Sequence, residues 1–433
     1  VPLWVRAGSS TGIVNMSFRR YCGGRLSLAA LTLCALAVPG LAAALTLDEA
    51  LRLAEREAPS LAAQAANQDA AMQAAIPAGE LPDPKLALGI QNFPIEGDAR
   101  GSLTRDFMTM QMVGVMQEVP NRAKRRARVE AAQAGIDSAD ALERVERLKV
   151  RRETALAWIG GFAVEQKLQL FQTLYDENRL LAKAVQANLA GGRGQAADSL
   201  APKQEAALLA EQEDELERNR TQARAALRRW VGPVAVEPLS GSWPSWRVDD
   251  LHFRHSLDRH PELQAFTPMT QEAEAQVRLA EADKKPDWSW ELAYQKRGEA
   301  FGDMVSVQFT FDLPLFTASR QDPKIAAKRA EVLRLEAERE AMTREHAQAL
   351  ADDLAEHRRL ERAVERSRQT LVPLAEEKVR LAMADYRAGR GELMALVAAR
   401  RELIEARLKH IDLEQQRAQT SARLYFAYGE SSQ

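Results

Sequence analysis

The chemistry on offer in this chain is thioether sulfur, imidazole and paired charge. Met108, Met110, Met112 and Met116 fall on alternate positions, so a strand running from Phe107 to Gln117 would turn all four side chains to one face. Thioethers suit soft ions such as Cu(I), and they suit packing against a neighbouring element more often. His252, His255 and His260 lie close together in sequence. His260 directly precedes Pro261 as a helix-start residue, which favours a structural or solvent role over a zinc site with converging ligands. No metal site is assigned, and the four methionines stand as candidates only. There is no Gly-rich phosphate loop, no serine or cysteine in a nucleophile context and no His/Cys metal spacing on a defined element, so neither catalysis nor a cofactor is indicated.

The paired charges lie at a motif that occurs twice. Gly192-Arg193-Gly194, in ANLAGGRGQAADSL, has its counterpart in Gly389-Arg390-Gly391, in ADYRAGRGELMALV. Each copy interrupts a long run of helix-favouring residues, and glycine supplies the left-handed backbone that ends one helix and starts its return. The offset that superposes these bends also superposes ALRRWVG, ending at Gly232, on RLYFAYG, ending at Gly429. The chain is an internal duplication. Arg193, Arg390, Asp198, Asp385 and Glu392 cluster at the bends. Opposite charges on neighbouring tips could hold an entrance shut, and a ring of carboxylates (Asp198, Asp385, Glu392) would favour cations. Solvated loop charge is the plainer alternative.

The elements that position these groups follow from composition and period. With 433 residues, 28% charged and 46% hydrophobic, one large core or two ordinary ones can be buried. A net charge of −2 with basic residues spread along helices speaks against nucleic acid as a partner. Met16 to Arg25 is a positive leader, Leu26 to Val38 a short apolar run, and Ala42 to Ala44 carry the small residues that signal peptidase needs. Leu45 is then the first mature residue, and Cys22 and Cys34, the two cysteines, precede it. A spanning anchor is disfavoured by the shortness of the apolar run, and lipidation at Cys34 by Leu33 before it.

After the opening helices of each half the period changes from 3.6 to 2. Leu86, Leu88 and Ile90 alternate with small or polar residues, as do Trp288, Trp290, Leu292 and Tyr294, and again Val305, Val307, Phe309 and Phe311. The strands have the length that a tilted transmembrane strand requires, and the aromatics suit an interfacial girdle. Four strands cannot close, so a barrel must be shared among two or three copies at least. Beyond each β-hairpin a helix of unusual length is expected, Arg122 to about Ala190 and Ile325 to about Arg387. Return helices run from Ala197 to Trp230 and from Leu393 to Tyr428. The basic run Arg122 to Arg128 then sits just below the barrel, placed for phosphate or carboxylate at the membrane's inner face or for solvating the helix start.

This pattern, together with the motifs LTLDEALRLAEREAPSL, GVMQEVPNRAKRRARVEAA, FDLPLFTASRQDPKIAAKRAE and DYRAGRGELMALVAARRELIEAR, resembles the TolC-like outer-membrane efflux proteins from Leu45 to Gly429. GELPDPKLALGIQNFPIEG and SLTRDFMTMQMVGVMQEVP resemble most the CzcC/CusC branch serving heavy-metal pumps. The resemblance implies a mainly α fold with a membrane β part: a homotrimer with a twelve-strand β-barrel on an α-helical periplasmic tunnel, in the outer membrane of a Gram-negative bacterium. It implies a periplasmic adaptor, an inner-membrane RND pump and outer-membrane lipids as partners. It implies a passive duct, with heavy-metal cations as the first-choice cargo and drug efflux or type I protein secretion as alternatives. A soluble periplasmic helical adaptor is the rival of another class. The expected divisions are an upstream and signal segment (1–44), a first repeat (45–231, β-hairpin 84–118, helical hairpin 121–231), a connector (232–250), a second repeat (251–429, β-hairpin 286–314, helical hairpin 319–429) and a tail (430–433). Gly192, Arg193, Gly194, Gly389, Arg390 and Gly391 are the expected adaptor contacts.

Overall fold

The computed structural model describes residues 44–429; the expected leader, both cysteines and the 430–433 tail lie outside the described residues. The fold is mostly helical, with a single four-stranded sheet among the described residues. Helix α1 (Leu47–Glu57) is capped by Thr46, whose Oγ1 accepts from the Glu49 amide at 3.3 Å. Asp48 and Glu49 in its first turn favour the helix dipole. Helix α2 (Pro59–Ala75) starts at a proline whose missing N–H costs nothing there. Strands β1 (Lys85–Gln91) and β2 (Met110–Val119) follow, and then helix α3, unbroken from Arg122 to Ala190. At 1.5 Å per residue its 69 residues extend roughly 100 Å. Helix α4 (Ala201–Val231) returns along it.

The second half repeats the order. Helices α5 (Asp250–His255) and α6 (Pro261–Ala282) lead into β3 (Trp288–Lys296) and β4 (Met304–Phe311). Helix α7 (Thr317–Arg366), a π turn at Ser367–Leu371 and helix α8 (Val372–Arg387) then run out to the second bend, and α9 (Leu393–Leu424) returns. The long second helix starts at Thr317 rather than Ile325 and carries Pro323 inside it. It is also interrupted where the first is not. Pro373 has no N–H to donate, and the chain widens just before it so that the Val372 amide bonds to Ser367 O, five residues back.

Two kinds of packing hold these helices. Ala127, Ala131, Ala134, Ser138 and Ala141 are buried at alternating spacings of four and three along α3, and Leu148 continues the stripe one heptad on. Such a seam of small residues lets α6, with its own buried Ala265, Ala273 and Ala275, approach closely. Farther along, a large core gathers Leu45, Ala50, Ala54, Trp158, Ile159, Phe162, Leu227, Val231 and Phe426. Within it Trp158 Nε1 donates to Leu45 O at 3.0 Å, and the connector is pinned to it where Trp243 meets Phe162 edge-on at 5.1 Å and Trp246 stacks on Tyr425 at 5.7 Å.

The sheet is antiparallel in the order β1-β2-β3-β4, so the two hairpins join through β2 and β3. Register places Leu86, Leu88 and Ile90, Val113 and Val115, Leu292 and Tyr294, and Val305, Val307, Phe309 and Phe311 on one face. That face is exposed, with Leu88 at 70% and Val305 at 65%, while Gly114, Ala293 and Gln295 on the opposite, more polar face are buried. No described helix is long and apolar enough to cross a membrane. Strand β2 begins at Met110 and not at Phe107, because local turns take the preceding backbone. The Met108 amide donates to Asp106 Oδ1 at 2.7 Å, and the Thr104 and Arg105 amides donate to Ser102 Oγ.

Sheet and helices meet at one cluster. Asn121 caps α3, its Oδ1 accepting from the Lys124 amide at 2.9 Å, while its own amide and side chain donate to Asp287 Oδ1 at 2.7 and 2.8 Å. Lys124 Nζ reaches Asp287 at 2.6 Å and Asp283 at 2.8 Å. Burial pushes the Asp287 carboxyl up, but the bonds and charge of Lys124 and Asn121 outweigh it and hold it below the ordinary value of 3.8. Burial pushes the Lys124 ammonium down, and Asp283 and Asp287 more than compensate, raising it above 10.5. A lowered carboxylate contributes stability above its unfolded pKa and loses it as pH falls through the folded one; a raised ammonium contributes below its unfolded pKa and loses it as pH rises. The junction is therefore strongest between those two limits. Asp287→Asn should lower stability at neutral pH by about 1–3 kcal/mol. In thermal unfolding followed by circular dichroism, the variant should lose less than the wild type as pH drops from 5 to 3, and equal losses would show that the junction contributes nothing.

Candidate functional site

The bends are built by matching backbone bonds. In the first, the Gly192 amide donates to Leu189 O at 3.0 Å and the Arg193 amide to Asn188 O at 2.9 Å; in the second, Gly389 donates to Tyr386 O at 3.1 Å and Arg390 to Asp385 O at 3.0 Å. Both are Schellman closures, which need a left-handed residue just past the helix. Gly192 and Gly389 supply it, with φ of 70° and 73°. A Cβ on Gly391 would lie 3.0 Å from Asp385 Cβ and 3.1 Å from the Tyr386 backbone nitrogen, a tight fit against main chain, whereas one on Gly194 would meet only side-chain atoms, Asp198 Oδ2 at 3.1 Å first.

The two bends lie side by side. The Arg193 side chain runs past Gly389, 3.8 Å from where a Cβ would stand. Asn188, buried, donates to Tyr386 O across the hairpins at 3.3 Å. Leu181, Val185, Tyr386, Leu393 and Leu396 form a small apolar core behind the tips. Next comes a buried ion pair: Arg400, 4% exposed, reaches Glu205 at 2.8 Å and donates to Glu177 O at 3.3 Å, tying α9 to α4 and α3. Arg407 bridges Glu177 at 3.0 Å and Glu376 at 2.9 Å. Buried pairs of this kind are costly to half-remove, at about 3–5 kcal/mol.

The charged candidates differ in what they do. Asp198 is half-buried and accepts from the Gln195 amide at 2.9 Å, closing the turn at Ala196–Leu200. Asp385 is exposed and pairs with Arg390 at 3.4 Å. Glu392 stands at the start of α9, exposed, with no side-chain partner among the described residues. Arg193 and Arg390 are exposed.

Of the methionines, Met110, Met112 and Met116 share the polar face of β2, opposite Gln91, Gly89 and Lys85 of β1, and Met112 and Met116 pair with Gln295 and Glu291 of β3. Met112 Sδ accepts from Gln91 Nε2 at 3.2 Å. Met108 stands in the turn before the strand and does not join them. In the basic run, Lys124 belongs to the junction, Arg125 donates to Gly79 O at 3.1 Å, and Arg126 pairs with Glu130 at 2.9 Å. Arg122 is exposed.

The histidines separate. His252 and His255 are exposed on α5. His260 is buried as the cap of α6, its Nδ1 accepting from the Glu262 amide at 3.2 Å. Its ring neighbour is His346 of α7, with centroids 4.0 Å apart. Burial, then the charge of His346, pushes the His260 imidazole down to about 4. Sequence reasoning passed over His346, Asn188, Arg400 and Glu205. Asn188 and Arg400 sit on helix faces that otherwise bury apolar residues, and that mismatch was the available signal.

Residues 253–430 match the family model described as "Outer membrane efflux protein". No curated protein matches the chain. Solved structures do, as folds. A membrane protein from Pseudomonas aeruginosa superposes with a TM-score of 0.77 at 18% identity, covering 88% of this chain and 90% of its own. The outer membrane protein VceC from Vibrio cholerae gives 0.73 at 19%, covering 88% and 96%. CusC, whose structures describe folding and transmembrane channel formation, gives 0.73 at 14%, covering 89% and 92%.

Forcing a side chain into the left-handed positions costs about 1–2 kcal/mol each. The double variant Gly192→Val/Gly389→Val should fray both bends, so trypsin should cut after Arg193 and Arg390 several-fold faster than in the wild type, with the rest of the chain resistant. An unchanged cleavage rate would show that the left-handed glycines do not hold the bends.

Proposed function

We propose, from the match of residues 253–430 to the outer membrane efflux protein family model, that this chain is the exit duct of a tripartite efflux system. The observation that carries the reading is the sheet. Its apolar face is exposed along all four strands, while the residues the sheet does bury, Gly114, Ala293 and Gln295, lie on the polar face of the two middle strands, the reverse of a soluble protein. Lipid is the surrounding that suits such a face, and in lipid the unpaired edges of β1 and β4 cost several kcal/mol per orphaned group. Three copies of four strands make twelve and close the wall. The duct works as a homotrimer in the outer membrane of a Gram-negative cell, with a long helical part in the periplasm, a periplasmic adaptor and an inner-membrane RND pump.

The bends are the adaptor-facing end. Gly192, Arg193 and Gly194, with Gly389, Arg390 and Gly391, form the docking surface, and Asp198, Asp385 and Glu392 contribute the negative charge of the entrance. Glu392 is the readiest of the three to act on a passing cation, since Asp198 is committed to its turn and Asp385 to Arg390. The domain divisions follow the duplication, with the 232–250 connector pinned against the main core. Heavy-metal cations are the cargo we favour, supported by the sequence likeness to the CzcC/CusC branch and by three methionines on the polar, lumen-side face of β2.

The test is fractionation joined to tolerance. The wild-type chain should be recovered from outer membranes as a heat-dissociable oligomer of three. A strain lacking it should become several-fold more sensitive to copper, zinc, cobalt or cadmium, and the Gly192→Val/Gly389→Val variant should form the trimer yet fail to restore tolerance. A soluble monomer would overturn the duct. Lost drug tolerance or lost protein secretion with normal metal tolerance would overturn the cargo alone, and full restoration by the double variant would overturn the docking role.

A further inference from the structure

We propose that His260, Glu262 and His346 form a binding site for a divalent transition metal, with Zn(II) the best fit to the donor set. The site belongs neither to the bends nor to the sheet. It lies where the first turn of α6 meets the middle of α7, and it unites residues 84 positions apart in sequence.

The geometry is that of a gathered donor set. One ring nitrogen from each histidine and one carboxylate oxygen of Glu262 lie within 4.8 Å of one another, and this is the one such group of three among the described residues. Two imidazoles and a carboxylate are the ligands of many open zinc sites, at 2.0–2.2 Å from the metal. Ligand atoms at such distances stand about 3.3 Å apart around a tetrahedral ion, so side-chain rotation of ångström scale completes the site without moving either helix. Glu262 already aims at the position, its Oε2 lying 2.9 Å from His346 Nε2.

The surroundings fix two ligands and leave one adjustable. His260 is 1% exposed and held at the helix start. His346 is positioned through its own backbone, whose carbonyl accepts from the Tyr428 hydroxyl at 3.2 Å, and the Tyr428 ring lies 5.6 Å from that of His260. The Glu262 side chain is 33% exposed and offers both an entry path and room for water in the fourth position. Coordination uses the lone pair with which His260 Nδ1 now accepts from the Glu262 amide, or fixes a proton there, so metal replaces that long 3.2 Å cap. Arg152, the cation whose charge acts on His260 and Glu262, is itself paired with Glu153 at 3.1 Å.

The alternative is a metal-free polar cluster that only joins α6 to α7. The detergent-purified oligomer, stripped with chelator, should bind Zn(II) by calorimetry at one ion per chain with micromolar or tighter affinity, and Co(II) should give the visible bands of a nitrogen- and oxygen-ligated ion of low coordination number. His346→Gln and Glu262→Gln should each weaken binding by about tenfold or more while leaving the circular dichroism and oligomer intact. The exposed pair His252→Gln/His255→Gln should leave it unchanged. Absence of saturable Zn(II) binding, absence of Co(II) bands in the wild type, or binding undiminished in both single variants would overturn the site.

Discussion

A four-stranded sheet that turns its greasy face outward cannot be a finished object. Leu86, Leu88, Val113, Leu292, Val305 and Phe309 form a continuous apolar surface, and the outer edges of β1 and β4 carry backbone groups that no described element pairs. Water penalises the first feature and lipid the second, so each demands what the other supplies: a membrane around the face and further copies along the edges. The helical architecture is subordinate to that demand, because a wall shared among copies would fix where every α3 and α7 begins.

The junction at Asp287 is how that placement is transmitted. A single carboxylate accepts from the cap of α3 and from Lys124 while standing one residue before β3, so the end of one strand pair and the start of the next are held to the same helix. From there the small-residue seam keeps α3 and α6 close, and the helices run without a second large core until the bends. At the far end the two hairpins are joined by a small apolar cluster and a few specific bonds, Asn188 to Tyr386 and Arg400 to Glu205. A region of that make-up has fewer buried contacts to break than the main core, and is suited to rearrangement.

Much of this could be read in advance. Period-2 alternation marked the strands, and long proline-poor runs marked α3 and α4, because a strand's two faces and a helix's stripe are written into neighbouring residues. The bends were legible twice over, since a duplicated Gly-Arg-Gly makes a conformational requirement visible as a repeat. Local competition blurred the ends. Asp106 captured the Met108 amide, which the methionine pattern had assigned to a strand, and Pro373 forced a π turn that composition could not forecast. The contacts that bind the tips, and the meeting of His260 with His346, were not legible, because each partner taken alone is an unremarkable polar residue on a long helix.

By itself, the order of residues determined the element types, the duplication, the left-handed positions at Gly192 and Gly389 and the two-faced strands, all of which depend on interactions within a few residues of chain. Only the tertiary structure decided that the two β-hairpins join into one sheet through β2 and β3, that the two bends lie against each other, and that His346 comes to rest on His260. Those outcomes depend on which helix faces meet over separations of tens to hundreds of residues, and many pairings of similar Ala- and Leu-rich stripes satisfy local chemistry equally well until side chains interlock.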